Sequence, residues 1–217
     1  MISQIQLVNI DDPEAAGVSI QTHRDEILGI STQLIAERGY SDTSMRDIAD
    51  AVGLLAGSLY SHFRSKAALV GEIVVRFYDE LLPVQRTIVE SDASGADQLR
   101  EMIAAVYAVC DAHRYELTIL HYDWHALSQL DELADVQEMS LETLALWQQA
   151  IERGKSDGSL RPDVDPAAMV RIATSSIHAL IDTVRYASLP LGRERSAELA
   201  ATLQDVLLGG VATERSP

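Results

Sequence analysis

The chain has 217 residues, 47% apolar and 23% charged, a balance that excludes a disordered or collagen-like polymer and allows one large or two small buried cores. Its 33 acids against 17 lysines and arginines give a formal charge of −16, which excludes indiscriminate coating of nucleic acid or anionic membrane and confines any phosphate contact to a local surface. The single cysteine, Cys110, excludes an intrachain disulfide framework and a cysteine-cluster zinc site.

The opening Met1-Ile2-Ser3-Gln4-Ile5 has neither the basic nor the apolar region of a secretory signal. Charge-free stretches such as Met102 to Cys110 and Ile172 to Ile181 reach only about half of the roughly 20 residues a membrane span needs. A cytoplasmic protein is expected. Residues 1–20 mix Gln, Asn, Asp, Pro13 and Gly17 without a period and read as a flexible arm. Ile27, Ile30, Leu34 and Ile35 then fall on one helical face that stops at Gly39. Ser44-Met45-Arg46-Asp47 has the form of a capping box opening a short helix with Ile48, Ala49 and Val52 inward. After Val52-Gly53-Leu54 a second short helix covers roughly Leu55 to His62, anchored by Leu59 and Phe63.

Lys66 opens a longer helix with Leu69, Ile73, Val74, Phe77 and Leu81 on one side, and Pro83 is expected to close it. A polar connector at 91–96 precedes a stripe of Leu99, Met102, Ile103, Val106, Tyr107 and Cys110. Two further stripes follow, Leu117, Leu120, His121, Trp124 and Leu127, then Leu141, Leu144, Trp147 and Ile151. Gly154 and Gly158 are expected to flank a turn, and Arg161-Pro162-Asp163 leads to a helix start near Pro166. The last two helices carry Met169, Ile172, Ala173, Ser176, Ile177, Leu180 and Val184, then Leu199, Leu203, Val206 and Leu207. Alternating strand patterns are absent. The fold class is all-α, divided as arm 1–20, a trihelical unit 21–66 and a larger body 67–217. Residues 20–70 are almost charge-balanced, five basic against six acidic, while 71–217 hold 12 basic and 24 acidic residues. A phosphate-facing surface therefore belongs to the N-terminal unit.

Two short helices about a glycine turn fit a helix-turn-helix, whose second helix begins here with side chains small enough to approach a major-groove edge. The run from Thr22 to Leu69 resembles the DNA-binding domain of the TetR family of bacterial repressors. The resemblance rests on Ala36-Glu37-Arg38-Gly39-Tyr40, Thr43-Ser44-Met45-Arg46-Asp47-Ile48-Ala49, Gly53, and Gly57-Ser58-Leu59-Tyr60-Ser61-His62-Phe63 with Lys66. It implies that Thr43, Tyr60, His62 and Lys66 contact backbone phosphates, and that Ser44, Met45, Arg46, Ala56, Gly57, Ser58 and Ser61 face base edges. Arg46 is the side chain there able to pair bidentately with guanine, unless it pairs with Asp50 on its own helix. DNA shape and apolar contacts to thymine methyls should supplement it.

The resemblance further implies a dimer through the last two helices, with Ala173, Ser175, Ser176 and Ala179 allowing close packing, and a body that binds a small molecule. Candidate ligand-binding residues are polar or aromatic groups set on or near apolar stripes, with their apolar neighbours: Tyr107, Cys110, His113, Leu117, His121, Trp124, Trp147, Ile151, Ile177, His178, Ile181 and Tyr186. Each of them could equally fill the core. Leu54-Leu55-Ala56-Gly57-Ser58-Leu59-Tyr60 and Gly158-Ser159-Leu160-Arg161-Pro162-Asp163 also resemble actinobacterial members responsive to acyl-CoA or steroid catabolites. Against a CoA ligand, the helix after Pro166 has Thr174, His178 and Asp182 and no dense set of arginines. His121 and His125 have the i,i+4 spacing of a metal pair without an identifiable third ligand. No cofactor is expected, and no enzyme: Gly154-Lys155-Ser156 lacks the P-loop's first glycine, Gln149 standing there, and Cys110 lies on an apolar stripe without a basic neighbour. The expected function is a dimeric, effector-released repressor of a palindromic operator. The alternative is a helical ligand-binding protein that no longer recognises an operator.

Overall fold

The structure, a computed structural model, describes residues 13–187 and 193–210, with side chains for 23–110, 112–177 and 194–210. The described residues form nine α-helices and no strand. These are α1 (Pro13–Arg38), α2 (Met45–Ala51), α3 (Ala56–His62), α4 (Lys66–Glu90), α5 (Gly95–Ala112), α6 (Arg114–Leu127), α7 (Ala134–Asp157), α8 (Pro166–Ala187) and α9 (Arg193–Gly209), with a 3₁₀ turn at Asp131–Leu133 before α7. The all-α expectation holds.

Serines start three of the helices. The Ser44 hydroxyl accepts from the Asp47 N–H at 3.1 Å while the Asp47 carboxylate accepts from the Ser44 N–H at 2.8 Å, completing the expected capping box of α2. Ser65 and Ser94 cap α4 and α5 in the same sense, from the N–H groups of Ala68 and Asp97. Gly53, at φ +72°, makes the α2–α3 turn in a conformation that costs glycine nothing.

α1 to α3 close over the start of α4 as a head, with Ile27, Ile35, Ile48, Leu59, Phe63 and Leu69 buried. Arg24 of α1 ties the head together: it donates to the His62 carbonyl at 2.7 Å, pairs with Glu72 of α4 and lies 4.2 Å over the Phe63 ring. In the body, α4, α5 and α7 pack around Ile73, Leu81, Leu99, Met102, Ile103 and Trp147.

Several expected boundaries and faces shift. α1 begins at Pro13, inside the stretch 1–20 expected as an arm, and the Pro13 ring presets the φ of a first helical position; residues 1–12 lie outside the described residues. On α1 the buried stripe runs through Leu28, Ser31 and Thr32 and leaves Ile30 exposed; the two hydroxyls donate to the Ile27 and Leu28 carbonyls and so tolerate burial. Pro83 does not end α4, because Leu82 just before it and Ile88 beyond it are buried against the body and their packing outweighs the lost N–H. Leu141 is exposed at the outer side of α7.

Gly154 is not at a turn but inside α7, where α5 begins against it. A Cβ on Gly95 would lie 2.0 Å from the Gly154 nitrogen and 2.6 Å from the Ala150 carbonyl, so only glycine allows this crossing. The Gly95 N–H donates to the Asp157 carboxylate at 2.8 Å and the Ala96 N–H to the Ser159 hydroxyl at 3.1 Å, so the far end of α7 helps cap α5. Burial pushes the Asp157 carboxyl upward, but its hydrogen bonds from Ser159 and Gly95 and the nearby Arg153 outweigh this and hold it below the usual range.

Candidate functional site

The head presents Ser44, Arg46, Gly57, Ser58, Tyr60 and Ser61 to solvent, with Ala56 and His62 half-buried. Arg46 makes no ion pair with Asp50 or any other acid among the described residues, which leaves its guanidinium free for an external acceptor. Three residues expected on this surface sit differently. Met45 is 7% exposed, because it lies three and four residues before Ile48 and Ala49 on the buried stripe of α2. Thr43 is 1% exposed and its hydroxyl donates to the Gly39 carbonyl at 2.8 Å. Lys66 points back into the α1–α2 loop. Its ammonium donates to the carbonyls of Tyr40 and Thr43, the latter at 2.6 Å, and lies 4.0 Å over the Tyr40 ring. Burial pushes the Lys66 ammonium below the ordinary lysine value, offset in part by Asp123, Asp42 and Asp47.

The body holds a cavity of about 320 Å³. α4 contributes Phe77, Tyr78 and Leu81, and α5 contributes Val106. α6 supplies Leu117, Leu120, His121 and Trp124, α7 supplies Ser140, Thr143, Leu144 and Trp147, and α8 supplies Thr174 and Ile177. Five of the sequence candidates therefore line the same cavity: Leu117, His121, Trp124, Trp147 and Ile177. The α4 residues went unnoticed because an apolar helix stripe does not reveal which of its members face a void. Ser140, Thr143, Leu144 and Trp147 recur at i, i+3, i+4 and i+7, a spacing that could have disclosed them.

Most of the lining is apolar, with few polar groups, the usual balance of a small-molecule site. Burial raises the Tyr78 phenol, which is partly compensated by its hydrogen bond with Ser140. Thr143 is unusual. Its hydroxyl is buried without a partner among the described residues, whereas Thr118 and Thr174 donate to the carbonyls four residues back.

The other candidates lie elsewhere. Tyr107, Cys110 and Ile151 are buried core residues that do not line the cavity, and burial, followed by Cys110, raises the Tyr107 phenol. His113 forms the α5–α6 junction, its Nε2 2.7 Å from Glu80 and its Nδ1 3.4 Å from Glu116. The side chains of His178, Ile181 and Tyr186 fall outside the described residues. His121 faces the cavity while His125 is exposed, and the described residues contain no group of three that could hold a metal.

Head and body meet at α6. The Tyr40 N–H, just past α1, donates to the Asp123 carboxylate at 3.0 Å. Asp123 lies between His121 and Trp124, both on the cavity wall. On the outer side of α8, Ala168, Arg171, Ile172, Ser175 and Ser176 form a shallow hollow with Ile172 exposed; Val206 of α9 is also exposed. Ala173, expected on that outer face, is fully buried instead, because it shares the inward stripe of Met169 and Ile177.

Among the described residues no helix is long and apolar enough to cross a membrane. The family pattern "Bacterial regulatory proteins, tetR family" matches residues 27–73, and the pattern "Tetracyclin repressor-like, C-terminal domain" matches residues 92–211. The chain is 38% identical over 142 residues to the transcriptional repressor KstR2 of Rhodococcus jostii, covering 65% of this chain and 70% of that protein. It is 27% identical over 195 residues to KstR2 of Mycobacterium tuberculosis, covering 90% and 96% of the two chains. The solved structure of that ketosteroid transcriptional regulator superposes with a TM-score of 0.78 at 28% identity, covering 88% of this chain and 95% of the other. With a helix-turn-helix head, a separate cavity-bearing helical body and both family patterns in place, the chain belongs to the TetR family and is a DNA-binding transcriptional repressor rather than an enzyme.

Proposed function

We propose that the chain acts as a cytoplasmic homodimer that occupies a palindromic operator and leaves it when a small hydrophobic effector fills the body cavity. The observation that carries this reading is the double placement of α6, whose His121 and Trp124 line the cavity while Asp123 between them holds the Tyr40 N–H of the head. α4 has the same property at longer range: it starts at Lys66 in the head and lines the cavity with Phe77, Tyr78 and Leu81. A ligand that displaces α6 or tilts α4 therefore changes where the head sits. Occupancy and operator binding become reciprocally linked, typically by about 1–3 kcal/mol. The exposed apolar side chains of α8 and α9, Ile172 and Val206, supply the dimer face, and two heads then meet half-sites about one helical turn apart.

The cavity suits a compact, mainly apolar molecule, and the similarity to KstR2, a ketosteroid regulator in its solved form, favours a steroid catabolite. No lysine or arginine is among the described lining residues. If the effector is an acyl-CoA, the cavity takes its acyl part and leaves the nucleotide outside, since buried phosphates need cationic partners. The test is selection of bound fragments from random duplex DNA, followed by titration of the complex with ketosteroids and with acyl-CoAs. Enrichment of a palindrome that one of these ligands dissociates is the expected result. Failure of a demonstrated dimer to enrich any sequence would overturn the reading.

A further inference from the structure

Leu55 and Gly57 break two local rules side by side at the start of α3. Leu55 is the N-cap, where α2, α4 and α5 each use a serine, and it makes no side-chain hydrogen bond to the helix. It is 80% exposed, more than any other large apolar side chain among the described residues. Nothing among the described residues accounts for it, since Leu54, Leu59 and Phe63 supply the apolar contacts that hold α3 to the head. Gly57 lies within α3 without a positive φ, and a Cβ placed there would meet nothing within 4 Å. Alanine would fit and would favour the helix. Neither residue is what the isolated head would select, and local rules broken together point to a function outside the fold.

We infer that Leu55 determines operator sequence by seating its side chain on the 5-methyl group of a thymine in each half-site, with Gly57 giving the clearance that lets the start of α3 approach so closely. The inference rests on the operator-binding reading above. Major-groove chemistry supports the assignment: a thymine methyl is the one apolar group that a base edge presents there, and an aliphatic side chain is its natural partner. Arg46 on α2 is suited to guanine, so the two residues would read different bases of one half-site.

The test uses the full-length protein and its selected operator, with each thymine replaced in turn, in both half-sites, by deoxyuridine, which lacks the methyl group. Affinity is read by fluorescence anisotropy. One thymine position is expected at which loss of the methyl weakens binding about fourfold per half-site, as for one buried methyl. Leu55→Ser and Leu55→Ala should bind the thymine and deoxyuridine operators equally, and Leu55→Ser should melt no lower than the parent because it restores a capping hydroxyl. Gly57→Ala should melt higher yet bind the operator more weakly. A methyl penalty that persists in both Leu55 variants, or its absence at every thymine of the parent's operator, would overturn the assignment while leaving the repressor intact. Selection that yields no operator would overturn both.

Discussion

The Lys66 ammonium holds the carbonyls of Tyr40 and Thr43 in the half-buried loop between α1 and α2. Lys66→Met should strand both acceptors and destabilise the head by about 1–3 kcal/mol, visible as a lower melting temperature even without DNA. An unchanged melting temperature would return Lys66 to the phosphate-contacting role that the family resemblance implies. Thr143 offers the opposite case. Its hydroxyl has no partner among the described residues, so Thr143→Val removes an uncompensated polar atom and should leave stability equal or raise it by about 1 kcal/mol. Effectors carrying a hydrogen-bonding oxygen should bind this variant more weakly, measured by calorimetry. The resemblance and the spacing brought out the exposed Arg46, Tyr60 and Ser61. They could not show that Lys66 turns inward, because its acceptors lie 23 and 26 residues away along the chain, nor that the Thr43 hydroxyl turns to the Gly39 carbonyl four residues back.

Among the elements, the start of α5 is the most constrained by its neighbours. Gly95→Ala would drive a Cβ into the backbone of α7, and overpacking of this kind costs about 1–3 kcal/mol. Thermal denaturation should show it, in contrast to the gain expected for Gly57→Ala. Asp157, which caps the same helix from α7, gives a pH signature. Its native carboxyl lies below the ordinary range, so its contribution is present above the unfolded carboxylate value of about 4 and is lost as pH falls through the lower native value. Asp157→Asn should therefore melt lower than the parent at neutral pH, by about 3 °C for roughly 1 kcal/mol. The difference should shrink in acid. Here the local signals were readable for a physical reason: Ser44, Gly53 and Ser94 act within four residues of themselves. Pro83 and Gly154 misled, because long-range packing decided both positions against their local preference.

At the scale of the molecule, the chain's two tryptophans, Trp124 and Trp147, both face the cavity. Intrinsic fluorescence should therefore report effector occupancy directly, and occupancy should rise in parallel with dissociation from operator DNA. Asp123→Asn weakens the charged acceptor that joins α6 to Tyr40. That variant should still show the fluorescence change on ligand binding but release DNA at higher ligand concentration; unaltered release would place the coupling in α4 instead. Ile172→Asp should reduce dimerisation, read by sedimentation, if the outer face of α8 is the contact between subunits.

Helical periodicity, serine caps, the glycine turn and the charge-balanced N-terminal unit follow from short-range geometry, so the amino-acid sequence by itself determined the all-α class, the helix-turn-helix and the family. Which side chains border the cavity was decided only by the tertiary structure. Trp124 and Trp147 line it while Tyr107 and Ile151, on equally apolar stripes, fill the core. A stripe records that a face is covered, and the crossing of five helices determines whether the covering leaves a space.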